Sequence, residues 1–281
     1  MLAACASDGA GTAATTSVAP AAPITGVSTS TTPTTAPATT VAATGPDEAT
    51  TVPTTLPTTE AATEAPTTST TEVPGQTEIR DIGLSVEGRV LHAIRRGTPG
   101  GRVVLVIGVI HGDEPAGAQI VDELERLPVP DGVDLWLLPS MNPDGQAANE
   151  RHNADGVDLN RNFPYDWGSI GQPGDGQYAG PSAASEPETQ AVVAFVTEIR
   201  PDLVIWYHQD LNRIAPGKGR DGAIRARYAE LVGLPLVSIT GGTYTGVAAT
   251  WARHAIEPGV AFIVELGVSI TPDEARLHAA S

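Results

Sequence analysis

Apolar positions in the later part of the chain fall mostly into short continuous runs rather than alternating ones. Val103-Val104-Leu105-Val106-Ile107-Gly108-Val109-Ile110 is the clearest. A β-branched run with no polar interruption predicts a strand buried on both faces. From Pro115 to about residue 127, apolar residues recur at helical spacing behind a proline in the first turn, which predicts a helix. Asp134 to Pro139 predicts a second apolar strand, and strand, helix, strand in that order makes a β-α-β unit with parallel strands. Leu203-Val204-Ile205-Trp206-Tyr207 ends at His208, and Val260-Ala261-Phe262-Ile263-Val264 ends at Glu265; both predict buried strands. Ile79 to Ile94 differs, because its rough alternation breaks at Glu87-Gly88 and predicts a β-hairpin. Helices are expected at about 221–232 and 247–256, with a short strand at 236–239. Ser185 is the expected N-cap of a helix reaching Ile199, with Glu188 completing a capping box, and Thr271-Pro272-Asp273-Glu274 caps a short last helix. The pattern as a whole predicts an α/β fold: a mixed, mostly parallel sheet flanked by helices. Residues 140–184 form a long Gly/Pro/Asn-rich stretch, and long loops inside compact domains are usually functional.

Composition divides the chain in two. Residues 1 to about 76 are dominated by Thr, Ala and Pro and hold no Lys or Arg. Such a segment cannot bury enough apolar surface to offset its ordering entropy. Residues 6–76 are therefore expected to be a disordered stalk, suited to O-glycosylation, ahead of one domain over 77–281. The chain carries 16 Lys and Arg against 33 Asp and Glu, a net charge of −17. That excess argues against a nucleic-acid partner and against electrostatic docking on anionic lipid. The single cysteine ends Leu2-Ala3-Ala4-Cys5, which resembles the lipobox of bacterial lipoproteins without the basic and apolar regions that normally precede it. Residues 1–5 are thus expected to be a lipobox-like remnant of a signal peptide; either the true start lies upstream of Met1, which the following stalk favours, or the resemblance is chance and Cys5 is an incidental residue of a tail. A lipid at Cys5 is the one membrane attachment this implies; the protein would be an extracytoplasmic bacterial cell-surface lipoprotein, or secreted if Cys5 is not lipidated. One cysteine allows no disulfide within the chain, and no stretch is long enough to span a membrane.

Candidate chemistry collects where the apolar runs end. His111-Gly112-Asp113-Glu114 follows the first buried strand directly. An imidazole and a carboxylate three residues apart then sit on a strand-to-helix turn, where open α/β sheets bind ligands. His208 ends another predicted strand. Catalytic zinc commonly takes two His and one Glu and keeps a fourth position for water, and His111, Glu114 and His208 supply that set for one ion. Taken singly, each also fits a hydrogen-bonded group at a strand terminus. Glu265 closes a further apolar run, where a carboxylate is costly unless it is paired or functional. Beside a zinc-bound water it becomes a general base. The long loop holds Arg151 and the cluster Asp158-Leu159-Asn160-Arg161-Asn162-Phe163. Asn160 and Arg161 together offer a planar grip for a carboxylate, and Arg151 a guanidinium for an oxyanion. Asx turns and surface arginines would explain the same loop without function.

The combined pattern resembles the M14 family of zinc metallocarboxypeptidases, from Gly83-Leu84-Ser85-Val86-Glu87-Gly88-Arg89 through His111 and Glu114, Gly156-Val157-Asp158 to Asn162-Phe163, His208 and finally Glu265. Asn142-Pro143-Asp144-Gly145 ahead of Arg151 is most similar to the compact bacterial branch that includes murein peptide amidases. The resemblance implies one Zn2+ on His111, Glu114 and His208, with Asp158 as the carboxylate behind His111. It implies that Arg151 polarises the scissile carbonyl and holds the oxyanion. Asn160 and Arg161 would bind the substrate's terminal carboxylate, and Glu265 would be base and proton shuttle in hydrolysis of a C-terminal peptide bond of a peptide or muropeptide. Two departures stand out. Tyr244 is the candidate for the family's substrate-binding tyrosine, yet the family spacing counted back from Trp251 falls nearer Gly242. The span from His208 to Glu265 is short, and no acid occurs from Thr240 to Thr250 to select basic C-terminal residues.

Three other readings stay open. A murein peptide amidase would use the same residues on the D-glutamyl–diaminopimelate bond of cell-wall peptides. A zinc acylase of the aspartoacylase type shares His-x-x-Glu and Asp-x-Asn-Arg, but such enzymes are typically intracellular, against the stalk. An inactive wall-binding module could keep the fold, although every expected catalytic position other than the tyrosine holds a competent residue.

Overall fold

The apolar runs become strands of a single sheet in a computed structural model that describes residues 77–281; Cys5 and the expected stalk lie outside the described residues. In chain order the elements are β1 (Glu78–Leu84), β2 (Val90–Gly97), β3 (Arg102–Ile107), α1 (Ala116–Leu124), β4 (Val133–Leu138), α2 (Pro143–Ala148), a single 3-10 turn at Leu159–Arg161, α3 (Pro187–Ile199), β5 (Leu203–Gln209), β6 (Arg213–Ile214), α4 (Gly219–Val232), α5 (Ala248–Ala255), β7 (Val260–Leu266) and α6 (Pro272–Ala279). The seven strands lie in the order β1-β2-β4-β3-β5-β7-β6. The four central strands β4, β3, β5 and β7 are parallel, and β1, β2 and β6 add antiparallel pairs at the two edges. The sheet is therefore mixed, and the uninterrupted apolar runs are its parallel centre, buried on both faces.

Helices cover both faces. Leu105, Ile107, Trp136, Leu138, Val204, Trp206 and Ala261 pack against α3 and α5 on one side. Val106, Leu135, Leu137, Ile205, Tyr207, Phe262 and Val264 pack against α1, α4 and α6 on the other. The chain leaves β3 through α1 to β4 on one side of it, then returns through α3 to β5 on the opposite side. The carboxyl ends of β3 and β5 thus flank the topological switch point, the crevice where open α/β sheets bind ligands. Among the described residues no helix is long and apolar enough to cross a membrane.

Several local expectations need correction. β3 ends at Ile107, although the apolar run continues to Ile110: Gly108 still donates to the Leu138 carbonyl, but Val109 accepts from Met141 and the chain turns inward, still buried. Ser185 does not cap α3. Glu186 holds that position without a side-chain cap, while the Ser185 hydroxyl donates to Glu186 Oε1 and accepts from Asn162. Glu188 completes no capping box either; its carboxylate accepts from the Val86 amide and from Asn153. The strand expected at 236–239 shrinks to one isolated bridge between Ile214 and Leu236, because Leu236 and Val237 are exposed and have no face to bury. The capping box at Thr271 and Glu274 forms as expected. Within the long loop, Asn142 caps α2 by accepting from the Gly145 amide, with Pro143 in the first turn.

The start of α1 fits closely over the end of β3. A Cβ on Gly117 would lie 2.1 Å from the Gly108 carbonyl oxygen and 2.6 Å from Tyr207 Cβ. Replacing glycine by alanine in a helix gains at most about 1 kcal/mol of propensity. Overpacking against backbone that cannot yield costs roughly 1–3 kcal/mol, so the clash wins. Gly117→Ala should lower the melting temperature by about 2–4 °C per kcal/mol lost in a domain of this size, read by a thermal scan; a rise in melting temperature would refute the close packing.

Candidate active site

Three strand ends deliver the site. His111 lies in the turn after β3, Glu114 just before α1, and His208 near the end of β5, and all three are buried. Gly112 lets that turn pass close to α2: a Cβ there would meet the Gly145 backbone at 1.9 Å. In β5 and β7 His208 and Glu265 are register partners on neighbouring parallel strands, so the apolar runs that end in these residues bring them side by side.

The donor atoms converge. One ligand atom each from His111, Glu114 and His208 lie within 4.8 Å of one another. Glu114 bridges the two rings, with Oε1 at 2.7 Å from His111 Nδ1 and Oε2 at 3.1 Å from His208 Nδ1. The Gln209 amide donates to the same Oε2 at 3.0 Å. On the far side of its ring, His111 Nε2 lies 3.1 Å from Asp158 Oδ1, which leaves Nδ1 facing Glu114. Two imidazole nitrogens and a carboxylate, with the outer nitrogen of one ring held by a second carboxylate, form the donor chemistry that suits zinc. The residues present fit one such ion.

The loop of residues 149–184 supplies the rest. Its Phe163 packs in the core edge-on to Trp206, with ring centroids 5.6 Å apart, and 5.1 Å from Trp251. That anchor sets the position of the preceding 3-10 turn. Asp158, wholly buried, accepts from the Asn160 amide at 2.9 Å and from Arg151 Nη2 at 2.8 Å. Arg151 Nη1 stands 3.2 Å from both His111 Nδ1 and Glu114 Oε1, and Nε donates to the Gly176 carbonyl. The guanidinium therefore lies directly beside the donor set. Asn160 Nδ2 faces His208 Nε2 at 3.4 Å, and its Oδ1 accepts from the Ala248 amide at the start of α5. Arg161 donates from Nη1 to the Asn160 carbonyl and lies over the Tyr244 ring at 5.1 Å, while its Nε is buried with no hydrogen-bond partner among the described residues. A buried guanidinium N–H without an acceptor marks a place for an anionic ligand. His111, Glu114, His208, Arg151, Asn160, Arg161 and Tyr244 line one cleft of about 370 Å3, together with Gln177, Gln209, Asp210 and Glu265.

Charges in the cleft are strongly perturbed. Burial opposes ionisation of Glu114, but hydrogen bonds from both imidazoles overcome it and hold the carboxyl well below its ordinary value. Burial works the same way at Asp158, and His111 with the charges of Arg151 and Arg161 again holds the anion. His111 is raised because Asp158 and Glu114 outweigh its burial, whereas burial keeps His208 low. Glu265 goes the other way. Burial first, then the negative charge of Glu114, push it up to about 7.

Every residue singled out from the described part of the sequence comes to this cleft or directly behind it, Tyr244 included, though its ring is half exposed. Sequence reading missed Gln209, whose amide steadies Glu114 while its side chain accepts from Ala116 at the start of α1. Its place directly after His208 was the available signal. Gln177 and Asp210 were missed as well, and their loop positions gave none.

Comparison with known proteins agrees with this geometry. The zinc carboxypeptidase profile matches residues 67–214, more than half of the chain. Murein peptide amidase A of Escherichia coli (strain K12) is 32% identical over 158 residues, covering 52% of this chain and 64% of that protein. The human carboxypeptidase N catalytic chain is 30% identical over 198 residues, covering 56% and 40%. The match thus spans less than two thirds of either relative. Among solved structures, murein-tripeptide amidase MpaA from Escherichia coli O157 superposes with a TM-score of 0.56 at 28% identity, over 75% of this chain and 91% of that one. Carboxypeptidase A from Helicoverpa armigera gives 0.62 at 22% identity, over 73% and 65%, a likeness of fold. Because the profile runs through the strand-end turn, the arginine-bearing loop and the second histidine in the order that builds this cleft, the chain belongs to the zinc carboxypeptidase family.

Proposed function

We propose that this chain is a zinc-dependent metallocarboxypeptidase that hydrolyses the last peptide bond of its substrate. The observation that carries the reading is a metal donor set sharing one cleft with a carboxyl poised near neutrality and a buried guanidinium short of an acceptor. His111, Glu114 and His208 would hold the zinc ion, which would supply Lewis acidity toward a carbonyl and lower the pKa of a water toward about 7. Arg161, with Asn160 and Tyr244 beside it, binds the substrate's terminal carboxylate and so selects the end of a chain. Arg151 donates to the carbonyl oxygen as it gains negative charge. Glu265 takes a proton from the attacking water and returns it to the departing amine, so one group serves both half-steps.

A second reading, murein peptide amidase acting on the D-glutamyl–diaminopimelate bond, uses the same residues. The 32% identity to murein peptide amidase A supports it, as does the lack of an acid between Thr240 and Thr250. A lipid on Cys5 followed by a Thr/Ala/Pro-rich spacer would hold the domain at the cell surface near such a substrate. To decide between the two, the zinc-loaded and chelator-treated protein is incubated with an L-peptide library and with a muropeptide ending in diaminopimelate, and products are read by mass spectrometry. Chelator-sensitive loss of single C-terminal residues from L-peptides is the expected result; release of diaminopimelate alone selects the amidase. No hydrolysis of either substrate refutes both.

Individual side chains have separable effects. Glu265→Gln should lower kcat by on the order of 10²–10⁴-fold with the zinc content unchanged; zinc lost on dialysis would make Glu265 a ligand instead. Arg151→Ala should cost about 3 kcal/mol in kcat/KM, and an unchanged kcat/KM removes it from the transition state. Asp158→Asn should weaken zinc binding by roughly 10–100-fold, measured by competition with a chelating dye; unaltered affinity would mean that His111 is oriented without it.

A further inference from the structure

Val104 and Leu203 are register partners on β3 and β5, at the centre of the sheet, yet both are only half-buried. Central parallel strands are normally covered on both faces. The cover is incomplete on the side of α1, α4 and α6, toward the amino ends of the strands. A cavity of about 610 Å3 occupies the gap and shares no lining residue with the catalytic cleft. Its floor is the sheet, with Val104, Val106, Leu135, Leu203, Ile205 and Phe262. Tyr207, Tyr228 and His278 stand beside them and bond one another: the two hydroxyls lie 2.7 Å apart, and Tyr228 Oη is 2.8 Å from His278 Nδ1. Those hydroxyls already have partners, so they place no demand on a ligand, and the floor is apolar in its chemistry.

The rim is basic. Arg102 from β3 and Arg220 and Arg227 from α4 belong to the walls, and no side chain in the walls is an acid. That reverses the balance of the chain, which has 16 Lys and Arg against 33 Asp and Glu. Arg102 has no hydrogen bond or ion pair among the described residues. Arg220 donates to the Pro258 carbonyl at 2.9 Å, and Arg227 pairs with exposed Glu230 at 2.8 Å. A surface pair of that kind is worth little, and one bond leaves most of a guanidinium's five donors free. With Glu230 and a carboxylate at Ser281 set against the three arginines, the rim still carries a positive excess. Arg220, Ile224, Arg227 and Leu231 follow at spacings of four, three and four, so one face of α4 alternates cation and apolar residue along the cavity wall.

We propose that this cavity binds a single-chain amphiphile with an anionic head, its aliphatic tail on the sheet and its head among Arg102, Arg220 and Arg227. The volume is within the range of small-ligand pockets, whose walls are mostly apolar with a few convergent polar groups. Guanidiniums grip carboxylate and phosphate alike, so a fatty acid and an alkyl phosphate share the chemistry that would be recognised. The site is separate from the catalytic cleft, and it does not depend on which bond the enzyme cleaves.

The test is calorimetric titration of the full zinc-loaded chain with dodecanoate, dodecyl phosphate and dodecyltrimethylammonium, each kept below its micelle concentration. Both anions should bind more tightly than the cation, and the tighter of the two identifies the head group. Shortening the dodecanoate tail should weaken binding by up to about fourfold per methylene removed. Arg102→Glu combined with Arg220→Glu should pass the preference to dodecyltrimethylammonium, which apolar contact alone would not produce. A carboxylate also suits the catalytic cleft, so a further variant locates the site. Exposed Ala223 lines this cavity and not the cleft, and Ala223→Trp should abolish binding with the melting temperature unchanged. Dodecanoate binding unaltered in Ala223→Trp, equal affinity for all three probes, an unchanged preference after the charge reversal, or no binding at all overturns the proposal. Binding to phosphatidylglycerol vesicles without binding of monomeric dodecanoate also overturns it, in favour of a lipid surface.

Discussion

The wholly buried carboxylate of Asp158 ties the parts of the site to one another. It accepts from His111 Nε2, from Arg151 Nε and Nη2, and from the Asn160 amide, while the Asp158 amide donates to the Tyr178 carbonyl. A buried charge is tolerated when it is paired and its lone pairs are filled, and Asp158 meets both conditions. The same contacts fix which nitrogen of His111 points at Glu114, hold the Arg151 guanidinium beside the donor set, and begin the turn that presents Asn160 and Arg161. Replacing it would leave an imidazole and a guanidinium competing for too few acceptors. Metal affinity, oxyanion contacts and substrate grip are therefore coupled through one side chain, and the effects of substitutions at these positions should not add.

The sheet provides what Asp158 cannot. β3 and β5 are neighbours, but the connections from them run to opposite sides, so their carboxyl ends open a crevice instead of being crossed by a helix. Parallel pairing puts His208 and Glu265 in register, and a one-residue slip would move one of these polar groups out of line and exchange the side chains packed on the two faces. Polar groups stand at the strand ends, where the apolar layers stop and the cleft begins.

This division explains what could be read from the sequence. The parallel strands were legible because burial on both faces leaves an apolar run, and His111, His208 and Glu265 were legible because each ends one. Asp158, Asn160 and Arg161 lie in a loop with no periodicity; the clustered amide and guanidinium pointed to a carboxylate grip, but only the resemblance to a known pattern gave Asp158 its place behind His111. Ser185 looked like a helix cap by local rules, yet Asn162, 23 residues away, takes its hydroxyl. The run at 236–239 looked like a strand but has no neighbour beyond one bridge. Asn142-Pro143 carried the start signal of α2 and was passed over inside a stretch read as loop. Arg225 and Arg253 sit on two separate helices, where an arginine reads as solvated surface. Only the shared Ala261 carbonyl, set by tertiary packing, shows that they meet.

Two glutamates in one cleft, Glu114 and Glu265, show how position assigns role. Both are nearly buried, so desolvation opposes the charge of each. Glu114 receives two imidazoles, the Arg151 guanidinium and the Gln209 amide, and these keep it an anion across the ordinary pH range. A permanent anion suits a metal ligand and cannot carry protons. Glu265 has no side-chain hydrogen bond among the described residues, and the negative charges of Glu114 and Asp210 face it, so its carboxyl rises to about 7. A group that gains and loses a proton near neutrality can take one from water and return it to an amine without a large barrier in either direction. Glu114, held as an anion, itself raises Glu265 through its charge, so removing the negative charge at position 114 would weaken the base as well as the metal site. Ligand and base are thereby set by the same electrostatic arrangement, one by the donors it receives and the other by the donors it lacks.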